Sequence, residues 1–176
     1  MRVARIAQAT LERRVPAAVA LSPSTGNPPM TPPPSSRAAA FELDLPCARA
    51  LPLFTAEGER AWAEGWAPTM LSGDTARGSA FRTESREGVR TFWIVTEYDA
   101  ARGRVGYARH AEGSHLGLVD VQLSPLGGER CRVEVRYTLT PLSDQGKALV
   151  ERMLDEGHYA TFIEEWRRAI EVSLSR

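Results

Sequence analysis

No stretch of this chain approaches the roughly 20 consecutive apolar residues that a membrane-spanning helix needs. That removes a helical membrane protein from consideration. Cysteine is scarce, with only Cys47 and Cys131, and two do not make a disulfide framework. Cys131 sits in an alternating stretch where a small buried thiol is the ordinary role. A reducing cytoplasm is the default setting for such a chain. Histidine is scarce as well: His110, His115 and His158. His110 and His115 flank a turn with Glu112 between them, whereas zinc wants three or four convergent ligands. No metal and no cofactor are expected, and both histidines read as exposed turn residues. There is no excess charge of either sign, because 22 basic and 22 acidic residues cancel. A duplex-binding surface would be basic, so nucleic acid is not an expected partner. No Gly-x-Ser-x-Gly nucleophile motif occurs. Gly127-Gly128 is a turn and not a phosphate loop, since no Lys-Ser/Thr follows it.

What is present divides at about residue 37. Residues 1–37 carry five arginines against Glu12 alone, a net of +4 that leaves the remainder at −4. Ser22 to Ser36 hold six prolines, a composition that cannot bury enough apolar surface to offset the entropy of ordering. Residues 1–37 are therefore expected to be a disordered Arg/Pro-rich tail. Arg13-Arg14 before Val15–Leu21 faintly resembles an export signal, but the apolar run is short and broken by Pro16. Met30 is an alternative start.

Order is expected from Ala38. Phe41, Leu43 and Leu45 alternate with acidic residues as a half-buried strand does. Cys47–Phe54 and Ala56–Glu64 read as two short helices, with Thr55 as an N-cap. Met70–Gly78 reads as a loop. Five strands follow: Ala80–Glu84, Thr91–Tyr98, Arg104–Arg109, Leu118–Leu123 and Arg130–Thr140. Gly88 suits the left-handed position of a three-residue hairpin loop, which pairs Phe81 with Trp93, whereas a two-residue loop would pair Phe81 with Ile94; the first is favoured. Both faces of Phe92–Val95 are apolar, so the face turned inward stays open. Cys131, Val133, Val135, Tyr137 and Leu139 oppose a polar set, the pattern of an antiparallel sheet with one dry face. Ser143 caps a helix expected to run to about Ser173. Leu149, Met153, Ala160, Ile163, Ile170 and Leu174 form its apolar stripe, widened by Phe162, Trp166 and Ala169. Gly157 is its weak point.

The fold class is thus α+β: a curved antiparallel sheet around a long C-terminal helix, with two short helices after the first strand. A twisted sheet is concave and a helix is straight, so the two part somewhere and leave a cavity. The expected gap lies where Ala160 and Gly157 meet the concave wall.

The chain resembles the START-like, or SRPBCC, superfamily, which includes polyketide cyclase/dehydrase-type helix-grip proteins. The residues that carry the likeness are Trp62-Ala-Glu-Gly-Trp66-Ala-Pro68, Gly78-Ser-Ala-Phe81-Arg-Thr83, Thr91-Phe-Trp93-Ile-Val95 with Tyr98-Asp99, and Val135-Arg-Tyr137 through Gly146. It spans about residues 38–174, within an expected domain of 38–176. The resemblance implies a ligand site in the cavity and supplies no catalytic residue. Candidate lining residues are Trp66, Phe81, Trp93, Tyr107, Arg109, Val121, Tyr137, Met153 and Phe162. Arg109 shares parity with Val105 and Tyr107 and would point inward to hold an anionic head group. Tyr107, Arg109, Tyr137 and His158 are the acid–base candidates if a reaction occurs. The leading function is a cytoplasmic binding protein for a small hydrophobic molecule such as a lipid. The alternatives are a cyclase/dehydratase-like enzyme on aromatic or polyketide substrates, and a ligand-free interaction or co-chaperone module. Oligomeric state and ligand identity are not legible in the sequence.

Overall fold

The structure, a computed structural model, describes residues 34–85 and 88–176. The readings on residues 1–33, including Arg13-Arg14 and Met30, and those on Arg86 and Glu87 lie outside the described residues. The elements run β1 (Ser35–Leu43), α1 (Cys47–Ala50), two 3-10 turns (Leu51–Phe54 and Gly58–Ala61), β2 (Thr69–Ser72), β3 (Ala80–Glu84), β4 (Arg90–Asp99), β5 (Arg104–Ala111), β6 (His115–Gly127), β7 (Arg130–Pro141), α2 (Asp144–Met153) and α3 (Glu156–Leu174). All seven strands form one antiparallel sheet in the order β1-β7-β6-β5-β4-β3-β2. The helices close its concave face, which is the helix-grip arrangement.

Alternation decides which side of each strand is dry. Val133, Val135, Tyr137 and Leu139 of β7 are buried, as are Val119, Val121 and Leu123 of β6. On β4 the inward set is Trp93 and Val95, while Phe92 and Ile94 face out. Phe81 pairs with Trp93, and Gly88 has φ +79°, a left-handed conformation that glycine adopts without strain.

Four expectations are corrected. Thr69–Ser72 is a strand and not part of a loop; it pairs with β3 through a bulge between Met70 and Ser72. The first strand begins at Ser35, so Ser35, Ser36 and Arg37 belong to the sheet. The C-terminal helix is two helices. The break falls at Leu154-Asp155, where the Asp155 carboxylate accepts from the His158 backbone N–H at 3.0 Å and starts α3 anew. The break also resets the apolar stripe, which is Val150, Leu154, Tyr159, Ile163, Trp166 and Ile170. Ala160, Gly157 and Leu174 are exposed, so the gap expected at Ala160 and Gly157 is not there. The fourth correction is His115, which begins β6 opposite Ala111 and is fully buried.

The edge strand β1 ties the helix break to the sheet. Arg37 Nε donates to the Leu154 carbonyl at 3.0 Å, and Ser36 Oγ donates to the Tyr137 carbonyl at 3.2 Å. A chain beginning at Pro34 is expected to keep the full-length melting temperature. One beginning at Ala38 is expected to melt several degrees lower, since hydrogen bonds of this kind contribute about 1 kcal/mol each. Equal melting of the two would show that Ser35–Arg37 add nothing.

Candidate functional site

The two 3-10 turns and the residues after them cover one end of the concave face. Backbone carbonyls of this cover hold aromatic tips. Trp62 Nε1 donates to Leu53 O and Trp66 Nε1 to Ala56 O, both at 2.7 Å. The Tyr107 hydroxyl donates to Phe54 O at 2.8 Å. Thr55 Oγ1 accepts from Gly58 N at 3.0 Å, so the expected cap acts one turn earlier than its helix label. From the sheet, Trp93 Nε1 donates to Thr83 Oγ1 at 3.0 Å. Rings fill the space between. Phe81 and Trp93 stack at 5.7 Å, and Trp66 and Tyr107 meet that pair edge-on. Trp166 of α3 packs on Trp62 at 5.2 Å.

A small void remains among these rings. Its wall holds six of the expected residues: Trp66, Phe81, Trp93, Tyr107, Val121 and Tyr137. Glu59, Val119 and Trp166 complete it. Met153 and Phe162 are half-buried and lie off the wall. Arg109 does point inward, at 5% exposure, with its guanidinium 4.6 Å over the Trp93 ring and hydrogen-bonded to the Tyr137 hydroxyl. It braces Tyr137 from behind the wall rather than facing the void. His158 sits in the first turn of α3, away from the wall. The void measures about 10 Å³ at the centre of a water-sized sphere, room for one water molecule.

Two wall groups lack partners. Trp166 Nε1 is buried without a hydrogen bond, and among the described residues none reaches the Glu59 carboxyl. Burial holds that carboxyl well above the usual carboxylate range. Burial also raises the Tyr107 and Tyr137 hydroxyls, with the Glu59 charge adding to it. Sequence reasoning missed Glu59. Its spacing to Trp62 and Trp66, three and then four, places the three on one side of a helical turn, and that was the available signal.

The Glu59 shift has a consequence for stability. A carboxyl raised in the folded state favours folding below its unfolded value, about 4.3, and that contribution is lost as pH rises through the folded value. Glu59→Gln stays neutral at every pH. It is expected to melt with the parent near pH ~4 and above it at neutral and alkaline pH. Parallel melting curves would place the carboxyl in water.

Among the described residues no group of three or more His, Cys, Asp or Glu converges as a metal site requires. No helix among them is long and apolar enough to cross a membrane. Cys47 and Cys131 are free.

No protein-family model and no curated protein matches the chain. Solved structures do. Norcoclaurine synthase from Thalictrum flavum is similar with a TM-score of 0.61 at 9% identity, over 88% of this chain and 99% of that one. Major latex-like protein 151 from Panax ginseng gives 0.59 at 12% identity, over 80% and 97%. An HSP90 activator from Plasmodium falciparum gives 0.58 at 16% identity, over 80% and 96%. At these identities the likeness is one of fold. The chain shares the helix-grip fold of these structures, from β1 to α3.

Proposed function

We propose that this chain is a binding protein for a small hydrophobic ligand, held where the sheet, the 3-10 turns and α3 meet. The observation that carries this reading is a pair of polar groups without a hydrogen bond on an aromatic wall: the buried Trp166 indole N–H and the carboxyl of half-buried Glu59, which lines the void. Burial without a partner costs about 1–3 kcal/mol for a neutral group and more for a charge, so such groups are normally satisfied. A ligand with a matching polar point relieves both. With room for one water, the ligand must displace a side chain. Trp66 is the wall residue best placed to move, being half-buried and preceded by Gly65 at φ +83°. Two free cysteines suit the reducing cytoplasm we assign it.

An acid–base enzyme would want two titratable groups facing the same space. The Tyr107 hydroxyl is committed to Phe54 O and the Tyr137 hydroxyl to Arg109, so Glu59 faces the void alone. That favours binding over turnover. A second reading, docking of another protein, has its own support on the outer face of the sheet. Phe92, Ile94, Leu116 and Leu118 are 38–50% exposed there. They are neighbours in register through His110 and Ala108. Contiguous apolar surface of this kind marks interaction sites.

Native mass spectrometry of freshly expressed protein separates the two. A co-purified small molecule is the expected result. Bare polypeptide, together with no quenching of tryptophan emission by a neutral apolar fluorophore, would remove the ligand reading. A mass of two chains, or of a second polypeptide, would favour the outer face.

A further inference from the structure

We infer that the ligand of this cavity is an apolar amine, and that the Glu59 carboxylate is the counter-ion to its ammonium group. The inference rests on the cavity reading above and adds the chemical class.

Glu59 is the one acidic group on the wall, and nothing charged answers it. Arg60, next in sequence, turns away: its Nε donates to the Glu57 carboxylate at 2.7 Å and its Nη2 to Pro68 O at 2.5 Å. Arg109 is engaged behind Tyr137 and does not line the void. The titratable groups that face Glu59 are Tyr107 from β5 and Tyr137 from β7; α3 presents only the Trp166 indole. A half-buried carboxyl that lines an aromatic void without a hydrogen bond is a site where a cation is favoured.

The remaining walls select among ligands. An anionic ligand would be set against the carboxyl and against rings whose faces carry negative charge density. A neutral ligand can hydrogen-bond the Glu59 carboxyl but brings no charge to pair with it. An alkylammonium answers both, with its charge paired to the carboxylate and its apolar body among the indoles and phenols. The Trp166 N–H, 4% exposed and unpartnered, remains as a donor for an oxygen elsewhere on the ligand. The proton balance follows. The ammonium enters with its own proton and pairs with the carboxylate, so whatever proton the Glu59 carboxyl holds in the free protein leaves to solvent. Binding therefore releases up to one proton per ligand.

The probes are cyclohexylamine, cyclohexanol and cyclohexanecarboxylate, three bodies of one shape with different heads. Each is titrated calorimetrically into the full chain at neutral pH, in phosphate and in Tris, so that the difference in heats counts released protons. The amine is expected to bind at least about tenfold tighter than the alcohol, a difference of ~1.4 kcal/mol, and to release a proton where the alcohol releases none. The carboxylate is expected to bind weakest. Glu59→Gln should bring the amine down to the alcohol's affinity and abolish its proton release. If the alcohol binds as well as the amine and neither releases a proton, the amine inference falls and the cavity reading survives. If none of the three binds, both fall. Should Glu59→Gln fail to fold, the affinity order and proton count in the unaltered protein decide the matter.

Discussion

Trp166→Ala is expected to destabilise the protein by about 3–5 kcal/mol, the range for removing a large buried aromatic side chain. Trp166 is 4% exposed and packs on Trp62 and on Phe162, the latter at 5.4 Å. It is the point where α3 meets both the cover turns and the void. Its neighbour Trp62 is fastened by a hydrogen bond to Leu53 O, so it cannot readily collapse into the space left behind. Trp166→Phe should cost less, because it keeps a ring and removes the unpartnered N–H. Urea midpoints at unchanged slope measure both variants. A loss near zero for Trp166→Ala would put the side chain on the surface and α3 in the wrong phase.

Acidification is the second large effect. His115 is fully buried, its Nδ1 is 2.9 Å from Ser114 Oγ, and its Nε2 has no hydrogen-bond partner. Burial, with Arg109 and His110 adding positive charge nearby, pushes its pKa down to about 3. The start of α2 seals it in. Leu142 N donates to Ser114 O at 2.8 Å, and Ser143 Oγ donates to Gly113 O at 2.9 Å. Gly146 lies so near that a Cβ there would stand 2.0 Å from Ser114 O. Protonation in the folded protein is therefore disfavoured until the pH nears that pKa. Because the folded value lies below the unfolded one, stability is complete above pH ~6.5 and falls as pH drops toward the folded value, by on the order of 4–5 kcal/mol in all. His115→Leu should flatten that fall. Parent and variant losing stability in parallel across this window would show that His115 is already protonated in the folded protein.

The sequence made most of the sheet legible because alternation is strong where one face is wet. The β7 set and the Phe81–Trp93 pairing read directly, the latter because Gly88 takes the left-handed loop position. Arg109 was placed inward by parity alone. The same parity, carried back along β6 from Leu123 through Val121 and Val119, reaches His115. It was missed because the turn was drawn one residue too long. β2 was not legible: Thr69-Met70-Leu71-Ser72 has no alternation, and as an edge strand it is held by β3 alone. The helix break is set by the Asp155 cap on the His158 N–H, a stronger local signal than the single glycine at 157. Ile163, Trp166 and Ile170 were read inward and are buried, but running one helix through the break also put Ala160 and Leu174 inward, and both are exposed. Glu59 was passed over as one charge among several in a short helix, although its spacing to Trp62 and Trp66 was there to be used.

The central claim is that ligand binds at the void between the sheet and α3. Four indole N–H groups report on it, and three have fixed protein acceptors: Trp62 on Leu53 O, Trp66 on Ala56 O and Trp93 on Thr83 Oγ1. Trp166 has none. A titration of protein labelled uniformly with nitrogen-15 decides it, following the four indole resonances and the backbone amides as cyclohexylamine is added. The account expects the Trp166 resonance to start at the position of an unbonded N–H and to move most, with Trp66 second as it yields space. Saturating shifts at Phe92, Ile94, Leu116 and Leu118 with Trp166 unmoved would contradict it and transfer the function to the outer face of the sheet.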